Sequence, residues 1–322
     1  MIRKSALSAG AKSEPVAMDP RRPPAGRSIL VIYNPVAGAR SRRRYRAVLA
    51  ALEARGCRVT VRETRRRGHA EAIAADARAE DFDVLAVAGG DGTVNEAVNG
   101  LGPASPPLGV IPLGTANSLA FEIGLGLASA RIARTLAECP PVPVPVGQVD
   151  GRRFILFAGV GLDAHAVAGL SPGLKSWAGK GAYYWQIVVE LARYRLPELT
   201  VTADGEVFHA ASVVVANGRS YGGRFVLAPG ARLDEAGFEV CLFSKGGRWN
   251  ALRYLAALGL GRLSRLDDVK FVKRRRVVVE GPAGEPVQGD GELIAELPAT
   301  IEVAPEPVAI LAPALARGAC RG

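Results

Sequence analysis

From Ser28 the chain repeats a short apolar run, a loop, and a segment whose apolar residues recur at helical spacing. SILVIY (28–33), CRVTV (57–61), DVLAVA (83–88) and LGVIP (108–112) are brief runs rich in β-branched residues, as buried strands are. Between the first two, RRRYRAVLAALEARG places Tyr45, Val48, Leu49 and Leu52 three or four residues apart along one helical face. Further helices are predicted near His69–Ala79, Val94–Leu101 and Ser118–Leu125. The alternation predicts an α/β N-terminal domain, a parallel sheet with helices on both faces.

After the proline-rich stretch PPVPVPV (140–146) the rhythm changes. Asp150-Gly151 and Asp204-Gly205 each fall between apolar runs, the arrangement of a two-residue hairpin, so the second half reads as mainly antiparallel. Helical inserts interrupt it near Leu174–Tyr194 and Trp249–Leu263. The expected domains are a basic disordered tail (1–27), a nucleotide-binding α/β domain (28–140), a β-domain (141–303), and a closing segment (304–322) whose return to the first domain stays open.

Composition adds limits rather than a function. With 322 residues and 48% hydrophobic content, the chain can bury two modest cores. It has no apolar run of about 18 residues, so no membrane-spanning helix is expected. The tail MIRKSALSAGAKSEPVAMDPRRPPAG lacks the apolar core of a secretory signal. Cys57, Cys139, Cys241 and Cys320 show neither metal-ligand nor redox spacing, and a reducing, cytoplasmic setting fits them.

The net charge of +10 is concentrated at one end: residues 1–68 hold 17 Lys and Arg against 4 Asp and Glu, a local balance of +13. Such asymmetry suits a phosphate-facing surface, and it equally suits arginines on solvated helix faces. No nucleic-acid reading motif or interleaved aromatic platform accompanies it, so no nucleic-acid partner is expected.

Chemistry concentrates in VLAVAGGDGTVNEAVNG. An apolar strand runs into Gly89, Gly90, Asp91 and Gly92, and a helix opens at Thr93, Val94 and Asn95. A strand end followed by free backbone N–H groups and a helix N-terminus suits a phosphate, a tight strand-to-helix turn being the other reading. Glycines let the backbone approach phosphoryl oxygens, and Asp91 offers a carboxylate for Mg²⁺ or a proton. The spacing matches neither the P-loop nor the dinucleotide fingerprint. NPVAG (34–38) and GTANS (114–118) should end neighbouring strands at the same sheet edge. Asn34, Gly38, Thr115 and Asn117 are therefore candidate nucleotide contacts, or caps of the adjoining turns and helices. In the second half, VQGDGELIAELPA carries Asp290 and Glu292 two residues apart. On an extended segment they would share a face and suit a metal orienter and a proton acceptor; a plain hairpin turn is the other reading.

Together these residues resemble the diacylglycerol kinase catalytic family, which includes bacterial lipid kinases and sphingoid-base kinases. NPVAG, Thr64 followed by GHA, GGDGTVNE, GTANSLA, GVGLDA, VANGRSYGGRFVLAP, LDEAGFEV and GDGE occur in the family's order between Ser28 and Pro313. The resemblance implies a nucleotide domain similar to those of phosphofructokinase and NAD kinase, a C-terminal β-sandwich, and an ATP site in the cleft between them. It further implies ATP contacts at Thr64, at Gly89 to Asn95 and at Thr115, with Glu292 as general base. The family's structural metal loop corresponds to residues 232–238, where Asp234 and Glu235 are the candidate ligands but an extra residue separates acid from glycine. Ser118 also stands where many lipid kinases have aspartate, and no arginine lies near Phe121.

The expected reaction is Mg²⁺-dependent transfer of the γ-phosphoryl group of ATP to a lipid hydroxyl, with Asp91, Asp290 and Glu292 as the catalytic acids. Diacylglycerol-type and sphingoid-type acceptors both fit. The partner is then a membrane lipid, with peripheral contact at the inner membrane face and a homodimer left open. NALRYLAALGLGRLSR (250–265) reads either as a helix resting on anionic lipid or as one packed by its Leu face. The alternative functions are an NAD kinase-like small-molecule kinase and a non-catalytic nucleotide-binding regulator.

Overall fold

The computed structural model describes residues 26–37, 41–161, 164, 198–223, 225–316 and 320. The expected tail up to residue 25, the insert Leu174–Tyr194 and the candidate Gly38 lie outside them.

The first four strands are β1 (Ser28–Tyr33), β2 (Arg58–Glu63), β3 (Val84–Gly89) and β4 (Leu108–Pro112). They form a parallel sheet in the order β2-β1-β3-β4. β3 and β4 are buried throughout because α1 (Arg42–Glu53), α2 (His69–Asp76), α3 (Asp91–Gly100), α4 (Ser118–Glu122) and α5 (Ser129–Glu138) pack on the sheet. The chain builds outward from β1 to β2, then returns to add β3 on the other side. The loops after β1 and β3 therefore meet at the switch point, the usual ligand crevice of an open parallel sheet.

This sheet does not stop at residue 140. β5 (Val142–Val144), from the proline-rich stretch, forms its outer edge, where Pro143 needs no ladder partner for its missing N–H. The late strand β20 (Val308–Ile310) slots between β4 and β5.

Between them lies a sandwich of two antiparallel sheets. One has the order β10-β9-β16-β19-β6-β7: β6 (Gly147–Val149), β7 (Arg152–Phe154), β9 (Leu199–Ala203), β10 (Glu206–Ala210), β16 (Arg276–Glu280) and β19 (Ala299–Val303). The other has the order β15-β14-β11-β8-β17-β18: β8 (Phe157–Val160), β11 (Ser212–Ala216), β14 (Phe238–Phe243), β15 (Val269–Arg274), β17 (Pro286–Gly289) and β18 (Glu292–Glu296). A small ribbon, β12 (Ser220–Tyr221) and β13 (Phe225–Val226), lies beside them.

The core between the sheets comes from alternating apolar residues such as Val201, Val277, Val279 and Ile301 on one side and Val160, Val213, Val215 and Val240 on the other. β11 and β14 are buried on both faces, because α6 (Arg248–Gly259) covers their outer side through Ala251, Tyr254 and Ala257. The expected turns are present. Asp150-Gly151, Asp204-Gly205 and Asp290-Gly291 all have positive φ at both residues, which Asp and Gly tolerate.

Direct bonds hold sandwich and sheet together. Arg152 on β7 donates to both carboxylate oxygens of Glu71 on α2, at 2.9 and 3.0 Å. Asn99 on α3 accepts from the Arg153 N–H at 2.8 Å and donates to its carbonyl at 3.0 Å. Glu122 on α4 accepts the backbone N–H groups of Arg219 and Ser220 at 2.8 and 2.9 Å. One reading of the sequence is corrected: Cys139 and Cys320, 181 residues apart, form a disulfide, while Cys57 and Cys241 are free and buried. The pair is invisible in local spacing because only the return of the chain end to α5 brings the two together.

Candidate active site

The glycine loop follows β3 and, as predicted, opens a helix, but α3 begins at Asp91 rather than near Val94. Thr93 Oγ1 accepts a hydrogen bond from Asn34 Nδ2 at 2.9 Å, which joins the loop after β1 to that after β3. The loop after β4 lies equally close. A β-carbon on Gly114 would fall 2.6 Å from the Gly90 α-carbon, and one on Gly90 would fall 3.3 Å from that of Gly114. Gly90 thus serves the packing of two loops backbone to backbone, a need distinct from room for phosphate. Thr64 directly follows β2, its N–H bonded to the Tyr33 carbonyl at 2.8 Å.

Asp91 is buried among backbone donors. Burial pushes its carboxyl up from the ordinary value, opposed by the N–H groups of Ser118, Leu119 and Asn117. Asp91 therefore caps α4, a helix that lacks a side-chain cap of its own because Asn117 occupies its N-cap in the left-handed region. Asn117 Nδ2 instead donates to the Gly114 carbonyl at 2.8 Å. Two buried polar atoms near these loops, Asn95 Nδ2 and Asn117 Oδ1, have no protein partner. Thr115 lies in the loop after β4, two residues before Asn117.

Across the cleft, Glu292 opens β18. An added β-carbon on Gly92 would lie 3.5 Å from Glu292 Oε1, so the sandwich delivers a carboxylate directly over the glycine loop. Arg67 Nη2, from the loop before α2, lies 3.2 Å from the same oxygen; 16% of the Glu292 side chain is exposed against 75% of Arg67. Arg67 carried no signal beyond membership of the run RRR, and only the fold singles it out.

Asp290 and Glu292 do not share a face. Asp290 is in the left-handed region at φ 49° and belongs to the turn, so the strand alternation that would align the two carboxylates does not apply. Its oxygens accept the N–H groups of Ile155, Leu156 and Phe157 at 2.6, 3.0 and 3.1 Å. Full burial pushes its carboxyl up to about 6 despite those bonds, with Asp91 adding a smaller push in the same direction. Asp290 thus fastens the β17–β18 hairpin to the segment that links the two domains.

The acids of the 232–238 loop face cations of the chain itself. Asp234 is held at 2.9 Å and Glu235 at 2.8 Å by Arg232, and Lys273 reaches Glu235 at 3.1 Å. The Arg232 hydrogen bond holds the Asp234 carboxyl below its usual range. Among the described residues no group of three or more His, Cys, Asp or Glu side chains is placed to hold a metal ion. None of the described helices is long and apolar enough to cross a membrane.

Comparison with known proteins places both halves. Residues 28–149 match the diacylglycerol kinase catalytic domain, and 157–312 match the YegS C-terminal NAD kinase beta sandwich-like domain. The diacylglycerol kinase of Bacillus subtilis is 31% identical over 274 residues, 83% of this chain and 90% of its own. That of Staphylococcus carnosus is 30% identical over 84% of this chain and 90% of its own. A crystal structure of a diacylglycerol kinase from Bacillus anthracis superposes with a TM-score of 0.70 at 27% identity, covering 86% of this chain and 94% of that one. Shared order of motifs, shared architecture and matches across both domains agree: the chain belongs to the diacylglycerol kinase catalytic domain family.

Proposed function

We propose that this protein is an ATP-dependent lipid kinase that phosphorylates the hydroxyl of a diacylglycerol-type lipid, with Glu292 as the base. The observation that carries this reading is the placement of Glu292 over Gly92, where a carboxylate from one domain meets a phosphate loop of the other. The triphosphate lies along Gly90–Gly92 at the N-terminus of α3, whose free N–H groups and dipole favour anions. Thr64, Thr93, Val94, Asn95 and Thr115 line its path, and the unpartnered Asn95 amide supplies a donor. Glu292 takes the proton of the acceptor hydroxyl as its oxygen attacks the γ-phosphorus in line and the β–γ bridging oxygen leaves with ADP.

Mg²⁺ fits this site as the ion that arrives with the nucleotide. It would draw most of its ligands from phosphate and water, without a dedicated protein cage, and would neutralise charge on the transferring phosphoryl group. The Asp91 carboxylate, committed to three N–H groups of the 117–119 turn, acts chiefly by holding the two phosphate-side loops together. Asp290 acts through Glu292, by fixing the hairpin that carries it. Arg232 and Lys273 pair with Asp234 and Glu235, so both candidate ligands of the 232–238 loop already face cations of the chain.

The test is transfer from γ-labelled ATP to a panel of diacylglycerol, monoacylglycerol, sphingosine, ceramide and NAD. Label in diacylglycerol with none in NAD is the expected result. Label in sphingosine alone would move the acceptor to the sphingoid class, and label in NAD would replace the reading with the small-molecule kinase.

A further inference from the structure

α6 buries one face and leaves the opposite one apolar and exposed. Tyr254, Ala257 and the half-buried Leu258, the latter two at spacings of three and four from Tyr254, pack on the sandwich, and Ala251 one turn earlier is buried as well. Trp249, Leu252, Ala256 and Leu260, spaced three, four and four, form the outward stripe, with Trp249 at 73%, Leu252 at 40% and Leu260 at 69% exposure. Residue Leu260, the C-cap, keeps right-handed helical dihedrals, so the stripe is continuous. A helix that needed only to cover β11 and β14 would carry polar residues there.

The charges around the stripe are mostly positive. Lys245, Arg248, Arg262 and Arg265 are exposed at its two ends, and the Arg248 guanidinium lies 5.6 Å from the Trp249 ring centroid. Arg253 is engaged by Asp268, which also accepts from the Tyr254 hydroxyl at 2.8 Å. From 245 to 268 the chain holds five Lys and Arg against two Asp, a balance of +3.

This face also connects to the catalytic cleft. β13 packs against α6, and its partner β12 packs against α4. Gly223, in the turn of that ribbon, approaches the Ala116 carbonyl of the GTANS loop so closely that an added β-carbon would lie 3.1 Å from it. One two-stranded ribbon thus spans from the phosphate-side loops to the exposed stripe, and its own Val226 is exposed as well.

The geometry points to α6 as the membrane-docking element: the Trp249–Leu252–Leu260 stripe enters the interface of an anionic bilayer while Lys245, Arg248, Arg262 and Arg265 meet its headgroups. Tryptophan and leucine flanked by basic side chains are the residues that lie at a lipid–water boundary, and the cations supply charge complementarity. The inference rests on the reading of the acceptor as a bilayer lipid, since an enzyme that draws its substrate from a bilayer has to dock on it.

The test uses the full chain and the double variant Trp249→Ala, Leu260→Ser, whose positions are exposed and whose melting temperature should match wild type. Wild type should co-sediment with vesicles of phosphatidylglycerol and phosphatidylcholine and bind pure phosphatidylcholine far more weakly. The double variant should lose roughly a hundredfold or more in partitioning, from two apolar side chains that no longer enter lipid. Arg248→Glu with Arg262→Glu should lose binding to the anionic vesicles alone. Kinase turnover should fall on diacylglycerol in vesicles and stay near wild type on a short-chain, water-dispersed diacylglycerol. Equal vesicle binding by wild type and double variant overturns the inference. So does loss of a wild-type dimer in the double variant on sedimentation, which would assign the stripe to a second copy of the chain. Vesicle binding through α6 without any lipid phosphorylation by wild type would instead reject the kinase reading and leave the docking surface standing.

Discussion

Asp290 should make the stability of this fold depend on pH in an unusual direction. Its carboxyl is pushed from 3.8 to about 6 in the folded chain, chiefly by complete burial. The unfolded chain releases this proton near 4, so between about pH 4 and 6 the folded state holds a proton that the unfolded state has lost. Stability from this group is therefore greatest below 4 and declines as pH rises through 6. A shift of about 2 units corresponds to about 3 kcal/mol. The salt-bridged carboxylates elsewhere oppose this trend, so a control without the titrating group is needed. Asp290→Asn supplies it. One oxygen becomes an NH₂ that cannot accept the N–H of Ile155, at a pH-independent cost of about 1–3 kcal/mol. Urea melts of both proteins between pH 4.5 and 7.5 read the difference directly. Asp290→Asn should be most destabilised relative to wild type at pH 4.5 and should recover about 2 kcal/mol of that deficit by pH 7.5. A deficit that stays constant across the range would refute the reasoning, since it would mean that the three N–H donors keep Asp290 ionised throughout.

Three further outcomes follow from the loops. Gly114→Ala should cost about 1–3 kcal/mol by forcing the 90 and 114 loops apart, and should raise the KM for ATP, as seen by thermal melts and steady-state kinetics. Gly92→Ala, whose nearest neighbour would be Glu292 Oε1 at 3.5 Å, should leave the melting temperature within a degree or two while turnover falls at least tenfold. Asp91→Asn should weaken both ATP affinity and turnover, because it breaks the cap on α4; calorimetry showing normal ATP affinity with lost turnover would return Asp91 to direct contact with the transferring group.

How far the fold was legible depended on whether the cause was local. Runs such as VLAVA and LGVIP declare strands buried on both faces, and the Asp-Gly pairs declare their turns through the backbone conformation they tolerate. α5 was not anticipated, although Ile132, Ala133 and Leu136 carry a helical spacing within SARIARTLAE. The site's loops were legible as glycine-rich turns at the ends of strands, because glycine content and strand ends follow from sequence alone. Their mutual contacts were not. The capping of α4 by Asp91, the close approach of Gly90 to Gly114, the fastening of Asp290 to residues 155–157, the Arg67–Glu292 pair and the Cys139–Cys320 bond all join residues far apart in sequence. The reading of Asp290 and Glu292 as a pair on one face failed for a local reason: a left-handed turn residue does not follow the alternation of a strand.

The central claim is that Glu292 takes the proton, and Glu292→Gln tests it most directly. Glutamine keeps the size and the acceptor oxygen but has no basicity at neutral pH. Among its described contacts is the partly exposed pair with Arg67, which is worth little to stability. Turnover on diacylglycerol should fall by roughly two to four orders of magnitude, while the KM for ATP and the melting temperature stay close to wild type. Turnover within about threefold of wild type, short of any general-base contribution, would contradict the account and leave Glu292 as a residue of the hairpin alone.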